Sequence, residues 1–105
     1  MERETLRATL LKEQGELRTR LEKIAADFAN RKISRQFDEQ SVERENDQVL
    51  VNLELEAKEE LNYIEKALAR LDTDVFDKCQ SCGTTISDAR LSAVPHATRC
   101  VACAA

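Results

Sequence analysis

The sequence has no tryptophan, one tyrosine and three phenylalanines, and only two glycines and one proline among 105 residues. Without bulky aromatics, a chain of this size has little with which to fill a conventional globular core. So few turn residues cannot serve the many reversals of an all-β fold, which is thereby excluded. The chain also lacks any apolar run of ~18 residues, the length that a membrane-crossing helix requires. Its first residues, Met1-Glu2-Arg3-Glu4, lead into an amphipathic pattern with no apolar signal-peptide stretch. A soluble cytoplasmic protein without membrane contact is expected. A positive excess is missing too: 16 Lys and Arg stand against 20 Asp and Glu, a formal charge of -4, so no overall basic field is available to hold a phosphate backbone. The single histidine, His96, has no Ser-His-Asp set to join, and no enzymatic activity is expected.

What the chain does have is charge and a seven-residue rhythm. From Arg3 to about Lys32, Leu10, Leu17 and Ile24 fall seven apart, and Leu21 and Phe28 form a neighbouring row. From about Val42 to Leu71 the same spacing joins Leu50, Ala57, Ile64 and Leu71, with Leu61 and Leu68 beside them. Each segment reads as a helix with one apolar seam at coiled-coil spacing. Residues 1–33 carry eight basic and six acidic side chains, whereas residues 34–74 carry five basic and twelve acidic ones. The two segments therefore complement each other in charge, +2 against -7. Two consecutive helices of this kind bury their seams most simply as an antiparallel hairpin. The expectation is an all-α chain with a coiled-coil hairpin over residues 1–74, its tip near residues 34–41, and a small module over residues 75–105.

All four cysteines lie in that module. The spacing is Cys79-x2-Cys82, seventeen residues, then Cys100-x2-Cys103, within the range of four-thiolate zinc ribbons. Each Cys-x-x-Cys pair can bend as a knuckle that turns both sulfurs toward one tetrahedral ion at ~2.3 Å. Gly83 supplies the backbone freedom the first knuckle needs. With the tetrahedron filled, one zinc would hold structure and leave no position for a reactive water. The module needs such help, because Val75, Phe76, Ile86, Leu91, Val94 and Val101 are its main apolar groups. A redox role for Cys79-x2-Cys82 would want a βαβ setting that a helical hairpin does not provide, and disulfides do not suit a cytoplasmic chain. His96 reads as a surface residue or a neighbour of the ligands, not a replacement for one of the thiolates. On residues alone, the module could also be a zinc-ribbon adaptor for another protein, with the hairpin as a spacer. A third reading, nucleic-acid binding through Lys78, Arg90 and Arg99, has too few bases for strong affinity.

One run is more specific. Phe76-x2-Cys79-x2-Cys82-Gly83-x2-Ile86-x3-Arg90-Leu91-x-Ala93-x-Pro95-x4-Cys100-x2-Cys103 resembles the zinc finger of the DksA/TraR family. Ile64-Glu65-Lys66-Ala67-Leu68 is similar to the segment that leads into that finger. The resemblance implies a bacterial transcription regulator that binds RNA polymerase without sequence-specific DNA contacts. It also implies a coiled coil that enters the secondary channel and brings an acidic tip near the catalytic magnesium; a monomer is expected. The family's Asp-x-x-Asp-x-Ala tip, counted back from Cys79 without gaps, falls on Gln36, Glu39 and Ser41. Asp38 and Glu39, with Glu43, are the tip candidates. The basic residues through which DksA proteins join polymerase in binding ppGpp would fall on Tyr63, Val94 and Ala104, none of which is cationic. Independence of ppGpp is therefore expected.

Overall fold

In a computed structural model, the described residues are 1–34 and 41–104 for the backbone, and 1–30 and 47–104 for side chains. Two long helices, α1 (Arg3–Ser34) and α2 (Ser41–Arg70), are followed by two short ones, α3 (Asp88–Ala93) and α4 (Val101–Ala104). The long helices lie within two residues of the expected boundaries. Most of the expected tip, residues 35–40, lies outside the described residues. Among the described residues there are no strands beyond one isolated antiparallel bridge, Lys78 to Thr85. None of the described helices is long and apolar enough to cross a membrane.

The chain divides into two compact units. One comprises Gly15–Leu61, where α1 and α2 pack together. Its buried side chains are Leu17 and Ile24 from α1 and Leu50 and Ala57 from α2, the two seven-residue rows. Leu21, Phe28 and Leu61, four positions further round, are half-buried. Two helices with no third layer cover only a narrow stripe on each other, so residues at its rim keep one side in water. Lys58 donates to Glu54 at 2.9 Å across one helical turn, an exposed pair of the kind that adds a few tenths of a kcal/mol, ~0.3–0.5.

The other unit joins Met1–Gln14 to Asn62–Ala105. The same rows continue here as Leu10, Ile64 and Leu71, each fully buried, with Leu6 added one turn earlier. The terminal module contributes Ile86, Leu91 and Cys79 to the buried set, together with Pro95. Val75 and Val101, two of its main apolar groups, are 54% and 64% exposed. Val75 is occupied through its backbone: its carbonyl accepts from the Arg70 guanidinium at 2.9 Å. Another Arg70 N–H donates to the Lys78 carbonyl, so the last residue of α2 pins the loop that enters the module. The first turn of α1 makes a parallel tie. Arg3 donates to the Thr73 carbonyl at 3.3 Å and lies over the Phe76 ring, 5.0 Å from its centroid. Arg7 reaches Asp72 at 3.4 Å.

Gly15 stands inside α1 with its Cα exposed, its φ in the ordinary range, and nothing within 4 Å of where a Cβ would sit. A mid-helix glycine loses more backbone entropy on folding than alanine does. Gly15→Ala is therefore expected to stabilise the protein by about 0.5–1 kcal/mol, read as a higher urea midpoint with unchanged slope. Ile64→Ala removes a side chain with no exposed surface and should cost about 2–5 kcal/mol in the same measurement.

Candidate metal centre

Each cysteine pair is shaped by local backbone geometry. In the first, Gly83 takes a φ of 77°, a left-handed conformation that side chains disfavour. The reversal this allows lets the Gly83 N–H donate back to the Cys79 carbonyl at 2.9 Å, and the Ser81 N–H approaches Cys79 Sγ at 3.4 Å. Flanking hydrogen bonds, Cys79 N–H to Thr84 O at 2.8 Å and Ile86 N–H to Asp77 O at 2.7 Å, close the loop as a small hairpin. The second pair is one helical turn: the N–H groups of Cys103 and Ala104 both donate to the Cys100 carbonyl, at 3.1 and 2.9 Å. Residues three apart on such a turn share a face, so both sulfurs point the same way. The two pairs are strapped together by the Gln80 N–H donating to Thr98 O at 2.8 Å.

Between the pairs, α3 begins at Ser87, whose side chain accepts from the Arg90 N–H at 3.2 Å. This serine cap satisfies one of the helix's orphan donors and directs Leu91 inward, where it is buried.

The four sulfurs converge. Sγ atoms of Cys79, Cys82, Cys100 and Cys103 all lie within 4.8 Å of one another. Around a tetrahedral zinc with bonds of ~2.3 Å, neighbouring sulfurs should stand ~3.8 Å apart; Cys82 and Cys100 are at 3.7 Å. The donor set therefore fits one zinc ion with little rearrangement. The thiols' acidity points the same way. Backbone N–H donation, first from Cys100, holds the Cys79 thiol down at about 5. The Cys103 N–H and thiol lower Cys100. Cys103, facing the sulfurs of Cys100, then Cys82 and Cys79, is pushed up to about 12. Hydrogen bonds from the Cys103 thiol to those sulfurs favour its protonated form, and a divalent cation that takes the proton's place removes that preference. Four thiolates fill the tetrahedron, so the metal has a structural role and no open position for substrate or water.

The other residues singled out by sequence stand apart from this centre. His96 is half-buried and stacked on Tyr63, ring centroids 5.8 Å apart and planes within 8°. Lys78 is turned onto Thr85 Oγ1, Arg90 is half-buried and Arg99 exposed, so the three do not make a free basic face. Val94 is the C-terminal cap of α3, and Ala104 is exposed at the end of α4. Asp38 and Glu39 lie outside the described residues. Glu43 is on the first turn of α2, and its side chain lies outside them as well. Sequence reasoning missed Thr84, whose hydroxyl stands 2.9 Å from Cys82 Sγ; an isolated threonine next to a knuckle glycine carries no signal of its own.

Comparison with known proteins matches two families. Residues 75–105 match the prokaryotic dksA/traR C4-type zinc finger, and residues 6–71 match the DnaK suppressor protein-like N-terminal domain. Among solved structures, the transcription factor DksA2 from Pseudomonas aeruginosa is 30% identical, with a TM-score of 0.84 over 97% of this chain and 79% of that one. A DnaK suppressor protein from Agrobacterium tumefaciens C58 is 39% identical, with a TM-score of 0.65 over 99% of this chain and 92% of that one. No curated protein sequence matches significantly.

Zinc binding should be tied to pH in a definite direction. A thiol that keeps its proton near neutrality, as Cys103 does, must lose it when the metal binds, so loading releases protons and affinity rises with pH. Calorimetric titration of the metal-free protein with zinc, in buffers of different ionisation enthalpy, should show net proton release at pH 7. Zinc affinity should fall steadily as the pH is lowered, because protons compete with the metal for the four sulfurs. Any single Cys→Ser change should unfold the terminal module and abolish the one-to-one zinc stoichiometry, whereas the seam of residues 15–61 should keep its helical signal.

Proposed function

The chain belongs to the DksA/TraR family of C4-type zinc-finger regulators, and from that premise we propose that it is a bacterial transcription regulator acting as a monomer on RNA polymerase. Its hairpin enters the secondary channel, and the acids at its tip, Asp38 and Glu39 with Glu43 beside them, approach the catalytic magnesium. The family match across both parts of the chain, residues 6–71 and 75–105, carries this reading. Charge supports it: residues 34–74 have a net charge of -7, and Glu56, Glu59 and Glu65 on α2 are exposed. A negative element is drawn to a cation-containing channel and repelled by a DNA backbone.

The carboxylates act through the confinement of that channel. In open water a single charge a few ångströms from an ion contributes about 1 kcal/mol, and several times that where water is partly excluded. The tip thereby perturbs the magnesium and the open promoter complex without forming any covalent bond. Zinc remains a structural anchor, and ppGpp is not required. At Tyr63, Val94 and Ala104 there is no cation to pair with a diphosphate, which needs charged or amide donors.

Displacement of this chain from core RNA polymerase by an established secondary-channel factor is the deciding experiment. Mutual exclusion is expected, and simultaneous binding would reject the reading in favour of a zinc-ribbon adaptor docked elsewhere. The variant Asp38→Asn with Glu39→Gln should unfold within about 1 kcal/mol of the parent, as exposed carboxylates do, and bind core polymerase almost normally. It should lose most of its effect on open-complex lifetime. In transcription assays, ppGpp should leave the chain's effect unchanged. Synergy that disappeared when Tyr63 and Val94 were altered would contradict this.

A further inference from the structure

The four sulfurs of the centre are not equally accessible. Cys79 is buried, Cys100 and Cys103 are intermediate, and Cys82 is exposed. Any electrophile or competing ligand arriving from solvent therefore meets Cys82 first, and the durability of the whole centre depends on how reactive that sulfur is. The Thr84 hydroxyl stands over it, Oγ1 to Sγ 2.9 Å. A zinc-bound thiolate has no proton, so in that pair the hydroxyl must be the donor.

The hydroxyl is held there by backbone that the centre itself fixes. Thr84 follows Gly83, whose positive φ turns the chain back, and the Thr84 carbonyl accepts from the N–H of Cys79, another ligand, at 2.8 Å. Its neighbour Thr85 is bridged to Lys78. A donor to a metal thiolate draws lone-pair density away from attack, and groups of this kind commonly matter to a metal site almost as much as its ligands.

We propose that Thr84 is a positioning residue of the zinc centre: its hydroxyl donates to the Cys82 thiolate and restrains that sulfur, which sets the rate at which the centre yields its metal to solvent-borne electrophiles. The step it slows is simple. Cys82 Sγ adds to the double bond of a conjugated imide, the S–C bond forms as the Zn–S bond breaks, and water protonates the adjacent carbon of the adduct. No change of oxidation state is involved.

The test uses the full-length zinc-loaded chain with N-ethylmaleimide as the probe and a pyridylazo dye to report released zinc, with the first adduct located by peptide mass spectrometry. Thr84→Val keeps the branched shape and the backbone acceptor but removes the donor, and should release zinc about tenfold faster, with the acceleration confined to adducts at Cys82. Thr84→Ser restores a hydroxyl and should return the rate toward that of the parent. Equal rates in all three proteins would overturn the proposal. So would acceleration in Thr84→Ser matching that in Thr84→Val, which would assign the effect to lost methyl packing. Acceleration spread over all four cysteines would also overturn it, as a general loosening. Should Thr84→Val fail to load zinc, Thr84→Ala takes its place in the same comparison.

Discussion

Four sulfurs brought within 4.8 Å of one another are a constraint that the terminal module cannot satisfy alone. Its fully buried apolar side chains reduce to Ile86 and Leu91, far short of what offsets the entropy of ordering some thirty residues at about 1–2 kcal/mol each. Structural zinc contributes on the order of 10–16 kcal/mol at neutral pH, which changes that balance. The Gln80-to-Thr98 strap joins the two cysteine pairs, and the Ser87 cap starts the short helix between them.

The hairpin solves a different problem with a different resource. Its buried rows are one residue wide, and Ala57 is among them, so no large core forms and the burial per helical turn is modest. Length compensates, because the rows recur over many turns. Residues off the rows are free to serve other ends, which explains why α2 tolerates Val49, Val51, Leu53 and Leu55 at 40–59% exposure within an otherwise acidic sequence.

This contrast also explains what could be read from the chain beforehand. Period and spacing are local properties: Leu10, Leu17 and Ile24 announce a buried row, and two Cys-x-x-Cys pairs announce a tetrahedral site, whatever the rest of the fold does. Burial of Ile64 and Leu71 followed directly. Contacts between residues distant in sequence have no such signature. Arg3 over Phe76 and Tyr63 against His96 exist only because folding brings separate stretches of the chain together. Val75 and Val101 stay largely in water. Hydrophobicity nominates a residue for the interior, but a module this small has no interior left once Ile86, Leu91, Pro95 and Cys79 have taken their places.

Charge finally separates the parts by role. Residues 75–105 carry three basic and two acidic side chains, and four thiolates around one Zn²⁺ add -2, so the loaded module passes from +1 to -1. The segment over residues 34–74 is already at -7. Only residues 1–33 remain positive, and Arg3 and Arg7 there are turned onto Thr73 and Asp72 of the same unit. Metal loading thus removes the last positive balance from the module that superficially resembles a nucleic-acid-binding finger. A partner with exposed cations or a bound metal ion gains from approaching such a chain, whereas a phosphate backbone does not. The buried rows and the sulfur cluster use none of the exposed carboxylates, so removing the charge of one such group leaves both in place.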